Sequence, residues 1–207
     1  MSTLLEYYRS GGAIMHAILA VAVMGVAIFF ERVYTIVLRS KGNSRAFIEQ
    51  VVKAAEQGKS AEAAKLCAET PGAASHIGEL VLKSQSRSET DLQNVADAAS
   101  MTALPMLTRR LHYLPMLANV ATLLGLLGTI FGLREAFGSV AMASAAERSG
   151  KLASGIAVAL NATGFGLLTA VPLSVAHAWL SSQAEAAIER VDEFAVRLIN
   201  ALTTRNG

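Results

Sequence analysis

The chain is almost without cysteine. Cys67 stands alone among 207 residues, which excludes an intrachain disulfide and any cysteine-built metal site. Charge is scarce as well: Asp, Glu, Lys and Arg make up 16% of the chain, where about 25% is usual for a soluble domain. A net charge of +2 is too small to point to nucleic acid, and the basic residues do not gather with aromatics. A disulfide-stapled secreted domain, a zinc module and a disordered chain are all excluded. What is abundant is apolar surface. Residues of the AVILMFWYC set form 53% of the sequence and the mean hydropathy is +0.42, which leaves a membrane protein.

The positions of the missing charges define the architecture. Ser10–Phe30, Leu111–Leu133 and Leu152–Ala184 carry no Asp, Glu, Lys or Arg, over 21, 23 and 33 residues. A helix needs roughly 20 mostly apolar residues to cross the hydrocarbon core. Ala98–Thr108 is the next gap, but it has 11 residues and contains Pro105, too short to span. The first gap follows an acidic rather than basic start, Met1-Ser-Thr-Leu-Leu-Glu6, so a retained helix is expected rather than a signal peptide. Three spans place 39–110 and the tail on one side. That side holds thirteen Lys/Arg against Arg9, Arg134, Arg148 and Lys151 on the other, with Arg32 at the boundary. The positive-inside rule then puts the N-terminus in the periplasm and the long segment and C-terminus in the cytoplasm. The expected layout is an all-α membrane protein: periplasmic 1–9, span one 10–38, a cytoplasmic helical loop 39–110 and span two 111–137. A periplasmic loop 138–151, span three with its cytoplasmic extension 152–184 and a tail helix 185–207 complete it. The third gap, about 50 Å of helix against a core of about 30 Å, must project beyond the bilayer. Ile188, Val191, Phe194, Ala195, Leu198 and Leu202 continue its helical period.

Within the cytoplasmic loop the punctuation predicts short amphipathic helices. Gly42-Asn43-Ser44 opens one with Phe47, Val51 and Ala54 on its apolar face, closed by Gly58. Lys59–Glu69 is a second, stopped by Pro71-Gly72, and Ala73–Ser84 a third. Ser88-Glu-Thr-Asp91 resembles a capping box. The helix it starts is expected to run through Arg109-Arg110 into span two, with Pro105 and Pro115 as the places for a kink. The acidic residues here fall among basic ones on solvated faces, and no catalytic constellation is present.

Spans two and three carry paired stripes. In Leu123-Leu-Gly-Leu-Leu-Gly-Thr129-Ile-Phe-Gly132, the glycines Gly125, Gly128 and Gly132 share one face, and small residues there let membrane helices approach closely. About 100° away lie Asn119, Thr122 and Thr129. Span three repeats the plan with Ala159, Ala162, Gly166 and Ala170 as the small stripe. Thr163, Ser174, His177 and Ser181 form its polar line. His16, in span one, reads as structural. The ordinary role of one membrane threonine is a bond to its own i−4 carbonyl; two aligned polar lines point instead to a polar interior. Heights counted from the outer helix ends place Thr129 and Thr163 at similar depth. Hydroxyls do not titrate near neutral pH, and no Asp, Glu or Lys lies in either span. An ion-transferring carboxylate must therefore come from another chain.

These segments resemble the MotA/TolQ/ExbB proton-channel family, nearest its TolQ/ExbB branch. The resemblance rests on Leu123–Gly132 with Phe137, on Gly155-Ile-Ala-Val-Ala-Leu-Asn-Ala-Thr163-Gly-Phe-Gly166, and on Ala170-Val-Pro172. Glu31-Arg32 and Lys65-Leu-Cys-Ala-Glu-Thr-Pro71-Gly72 support it, and it covers nearly the whole chain. It implies a homopentameric ring around a dimer of ExbD/TolR-like single-span partners that supply the essential Asp. It further implies pore threonines at Thr129 and Thr163 and no cofactor. The expected function is an ion-conducting stator of the bacterial inner membrane, moving its partner for work at the outer membrane. That work is TonB-type transport through a TonB-like protein, a Tol-type envelope function, or motility.

The sequence also departs from the family. Val158 stands where ExbB-type members often carry Glu, Thr122 where many have Pro, and His177-Ala178 where Tyr-Asn is common. These departures leave a specialised paralogue open beside an iron-uptake protein. They also make Thr122 and His177 candidate water-holding groups on the inner route. A non-conducting scaffold of the same architecture is the alternative to the stator. Sodium remains open beside the proton, since hydroxyl and carboxylate ligands serve both. An intramembrane enzyme lacks an acid pair, a Ser/His couple at plausible depth or a metal-ligand cluster.

Overall fold

The computed structural model describes residues 14–38, 42, 44–84 and 88–204. Every regular element among them is helical. Three stretches, Ile14–Val37, Glu89–Ala141 (interrupted at 104 and 109–112) and Arg148–Thr203, contain helix long and apolar enough to cross a membrane. Helices suit this composition because each satisfies its backbone polar groups internally, which lipid cannot do. The chain divides into two compact units. Among the described residues, one is built from 14–30 and His112–Ala178, the other from 31–111 and 179–204.

The first unit holds most of α1 (Ile14–Val33), α7 (Tyr113–Ala141) and the leading part of α8 (Arg148–Thr203). Along α7 the buried positions are Leu114, Leu117, Ala118, Ala121, Gly125, Gly128, Gly132 and Ala136, one face at helical spacing. Leu123, Leu126, Leu127, Ile130, Phe131 and Phe137 are exposed on the others. A soluble protein would bury them; an apolar exterior is what a lipid solvent permits. Helix α8 continues unbroken through Pro172. Proline there removes one backbone donor, a loss that membrane helices tolerate when neighbours re-satisfy the freed carbonyl.

The second unit contains α2 (Arg45–Glu56), α3 (Ser60–Glu69), α4 (Ala73–Lys83), α5 (Glu89–Ala103), α6 (Pro105–Thr108) and the end of α8. Ser44 caps α2, its Oγ accepting from Phe47 N–H at 3.3 Å, and Ser88 stands at the N-cap of α5. The apolar faces predicted from spacing meet in one core. Phe47, Ile48, Val51 and Ala55 of α2, Cys67 of α3, and Ile77 and Val81 of α4 pack with Val191, Phe194 and Leu198 of α8. Gly78 is required here. A Cβ at this position would stand 2.9 Å from the Phe194 ring and 3.0 Å from Cys67 Sγ.

The junction between α6 and α7 differs from expectation. The helix does not run through Arg109-Arg110: residues 109–112 form a turn, and Arg110 takes φ +64°, a left-handed conformation uncommon for a residue with a side chain. Local bonds hold it. Arg32 Nη1 donates to the Arg109 carbonyl at 2.9 Å, and Glu31 Oε1 accepts from Arg32 Nη2 at 2.9 Å and from Arg110 Nη1 at 2.6 Å. Arg32 is itself buried. The chain is thus interrupted twice: at Leu104, where α5 ends and Pro105 opens α6 as the sequence suggested, and again at the pair of arginines. Pro115 lies inside the first turn of α7, where proline costs no helical bond.

Candidate functional site

Helices α7 and α8 run antiparallel with their small stripes in contact. Gly132 faces Ala159, with a Cβ there only 2.9 Å from Ala159 Cα; a Cβ on Gly128 would overlap that of Ala162. At Gly125 an added Cβ would lie 3.2 Å from the Ala162 carbonyl oxygen and 3.3 Å from Gly166 Cα, and at Gly166 one would lie 2.7 Å from the Ala121 carbonyl oxygen. Ala170, at the end of the stripe, is buried. These contacts are backbone against backbone, the close approach that small residues permit where lipid gives no hydrophobic drive between helices.

The approach brings two hydroxyls together. Thr129 Oγ1 and Thr163 Oγ1 are 2.6 Å apart. Both lie near one carbonyl, that of Gly125, at 3.2 Å from Thr129 and 2.9 Å from Thr163. Two hydroxyl protons serve three contacts, so two arrangements satisfy the triangle. In one, Thr129 donates to Thr163 and Thr163 to the Gly125 carbonyl; in the other the chain runs from Thr163 through Thr129 to the same carbonyl. Either way both protons are used internally, and the outward-facing groups are oxygen lone pairs. Such a pair accepts from water, from a protonated acid or toward a cation, and switches direction by two small rotations. It is not itself an acid or base near neutral pH.

The other polar residues do not join this pair. Thr122 Oγ1 donates to the Ala118 carbonyl at 3.1 Å and Ser174 Oγ to the Ala170 carbonyl at 3.0 Å. Each is bonded within its own helix, and Thr122, Ser174 and Asn119 are exposed while His177 is half-buried. The alignment of polar residues along each helix therefore overstated the cluster, because a shared face fixes direction but not contact. Three contributors were not read from the sequence. The Gly125 carbonyl accepts the hydroxyl chain, although Gly125 had been legible only as a packing residue. Gly155 closes against Ala136, where a Cβ would collide, and Gly25 of α1 leaves room for the Leu173 side chain. The i−4 spacing of Gly125 to Thr129 was the available signal for the first.

Leu111–Leu133 and Leu152–Ala184 contain no Asp, Glu, Lys or Arg. Among the described residues no group of three or more His, Cys, Asp or Glu is placed to hold a metal.

Comparison with known proteins bears on the same segments. Residues 65–193 match the family described as the MotA/TolQ/ExbB proton channel family. The chain is 26% identical over 190 residues to a biopolymer transport protein ExbB homolog of Methanothermobacter thermautotrophicus, covering 92% of this chain and 67% of the relative. It is 31% identical over 169 residues to the ExbB-like 3 biopolymer transport protein of Synechocystis, covering 78% and 77%. Over 93 residues it is 38% identical to the Tol-Pal system protein TolQ of Haemophilus influenzae, covering 42% of this chain and 40% of that protein.

Proposed function

The chain belongs to the MotA/TolQ/ExbB proton channel family, and from that membership we propose that it is the ion-conducting stator subunit of an ExbB/TolQ-like motor, not an enzyme. In this reading five copies form a ring in the inner membrane, with the N-terminus periplasmic and the C-terminus cytoplasmic. The ring encloses a dimer of an ExbD/TolR-like single-span protein whose Asp takes up and releases the proton. Ion passage drives movement of that partner for TonB-type transport, a Tol-type envelope function or motility.

The observation that carries the reading is the Thr129–Thr163 pair over the Gly125 carbonyl. Its lone pairs face outward, so it receives a proton-bearing carboxylic acid and holds it without competing for the proton. A carboxylate would meet no free donor there until one internal hydrogen bond opened, which favours the neutral acid at this height. The complementary roles follow: this chain supplies polar oxygen in a low-dielectric wall, and the partner supplies the titrating group. Helix α8 is continuous from the apolar stretch into the core of the second unit, so in this reading one helix serves both the pore wall and the cytoplasmic part.

One departure favours the second reading. Val158, half-buried and next to Ala159 in the helix contact, places no carboxylate where many relatives have one, as a non-conducting scaffold would. The two readings separate in cells. Thr129→Val and Thr163→Val abolish proton-gradient-dependent function in the stator while the assembled ring still purifies; in the scaffold they leave the phenotype intact. The lesser claim on Thr122 and His177 has its own check. Unchanged proton flux in a Thr122→Val/His177→Ala double variant removes both from the ion route.

A further inference from the structure

We propose that the groove at the cytoplasmic end of α1 is a binding site for the phosphodiester headgroup of an anionic phospholipid. The groove has a volume of about 300 Å³ and is lined by Ile36, Val37, Ser44, Arg45, Gln183 and Arg190. Two arginines from different helices, α2 and α8, meet on it. Among the described residues no carboxylate lies within ion-pair distance of either guanidinium; the pairs in this unit are made by Arg32, Lys59, Lys65, Lys83, Arg110 and Arg197.

Charge count and position select the ligand. An adjoining groove of about 270 Å³ shares Arg45 and Arg190 and adds Glu49, Glu193 and Arg197. Arg197 and Glu193 pair with each other at 3.5 Å. That leaves Arg45, Arg190 and Glu49, an excess of one positive charge, which matches the single negative charge of a phosphodiester. Arginine presents a planar fork of donors suited to phosphate oxygens. Gln183 adds an amide donor, and Arg45 opens the first turn of α2, whose dipole favours an anion. The apolar wall indicates a lipid rather than a soluble phosphate. Ile36 and Val37 end a helical run long and apolar enough to span a membrane, and Tyr34 and Val37 are 58% and 48% exposed along it. An acyl chain lying on that surface puts its phosphate at the arginine pair. The assignment to the cytoplasmic leaflet rests on the orientation proposed above; the site itself needs only the membrane location, not ion conduction.

The test uses the purified full chain in detergent and native mass spectrometry with equal phosphatidylglycerol and phosphatidylcholine. The expected result is preferential retention of phosphatidylglycerol by about 30-fold, as two arginines facing an anionic lipid give. Arg45→Gln/Arg190→Gln brings the ratio close to parity, and Arg134→Gln/Arg148→Gln leaves it unchanged, with helical content and oligomeric mass as the folding check. If the double variant does not fold, the single Arg45→Gln and Arg190→Gln variants decide, each expected to lower the preference about fivefold. Equal retention by the wild type, or full preference in the arginine variants, overturns the proposal. So does displacement of the lipid by millimolar inorganic phosphate, which marks a free-anion site, or a neighbouring copy's carboxylate cross-linking into the groove. A chain that binds lipid here yet conducts nothing leaves this site standing and removes the stator reading instead.

Discussion

Valine has nearly the shape of threonine, so at positions 129 and 163 substitution removes a hydroxyl and little else. Neither change strands the partner, since each remaining threonine still reaches the Gly125 carbonyl. Interhelical hydrogen bonds in membranes are worth about 0.6 kcal/mol on average, so thermal stability in detergent should fall by no more than about 1 kcal/mol. Proton-gradient-dependent function should be lost, and Thr129→Ser, which keeps the hydroxyl, should retain it; a stability loss matching the activity loss would point to a structural role alone. Cys67 makes a second prediction at this scale. It is buried, and that burial, with the Glu79 carboxylate adding to it, pushes the thiol up to about 12. Maleimide or iodoacetamide at pH 8 should label it only after the core of the second unit unfolds. Because the folded pKa lies above the unfolded one, stability from this group is fully present below about pH 9 and declines as pH rises toward 12. A wild-type chain should lose stability relative to Cys67→Ala across that window, measured by denaturant unfolding at each pH.

Between elements, the contact of α7 with α8 sets what substitution is tolerated. Gly132→Ala drives a methyl group into the backbone of Ala159, and overpacking of this kind costs about 1–3 kcal/mol. Gly138 lies on the same helix with nothing within 4 Å of an added Cβ, so Gly138→Ala should be neutral or stabilise by up to about 1 kcal/mol. Melting of both variants in detergent separates the contact from simple helix propensity. In the other unit Phe194→Ala empties the centre of the hydrophobic core and should cost about 3–5 kcal/mol, read by denaturant unfolding. How much of this the sequence disclosed differs by element. The apolar helices were legible because lipid excludes charge: Leu111–Leu133 and Leu152–Ala184 fall within stretches long and apolar enough to cross a membrane. The core face of α8 was legible because Val191, Phe194 and Leu198 recur at helical period. The break at 109–112 was not, since Arg110 at φ +64° carries no glycine or asparagine to signal a left-handed turn. Glu31 and Arg32, distant in sequence, hold it there. For the candidate site, periodicity gave each threonine a face. The offset between the two helices, which makes Thr129 meet Thr163 and leaves Thr122 and Ser174 bonded to their own helices, is set by the backbone contacts of Gly125, Gly128 and Gly132.

For the molecule as a whole, apolar helices whose stretches Leu111–Leu133 and Leu152–Ala184 hold no Asp, Glu, Lys or Arg are continued by α8 into the helical core of the second unit. The family membership gives this layout its meaning, because a wall of hydroxyls does no proton chemistry alone. The proposed division of labour leads to one direct measurement: pH-gradient-driven proton flux into liposomes containing the purified chain, with and without a co-reconstituted single-span partner bearing a membrane Asp. The account predicts no flux above background from the chain alone, flux with the partner, and its loss when Thr129→Val/Thr163→Val is reconstituted with that partner. Flux through the chain alone, or undiminished flux through the double variant, would contradict it.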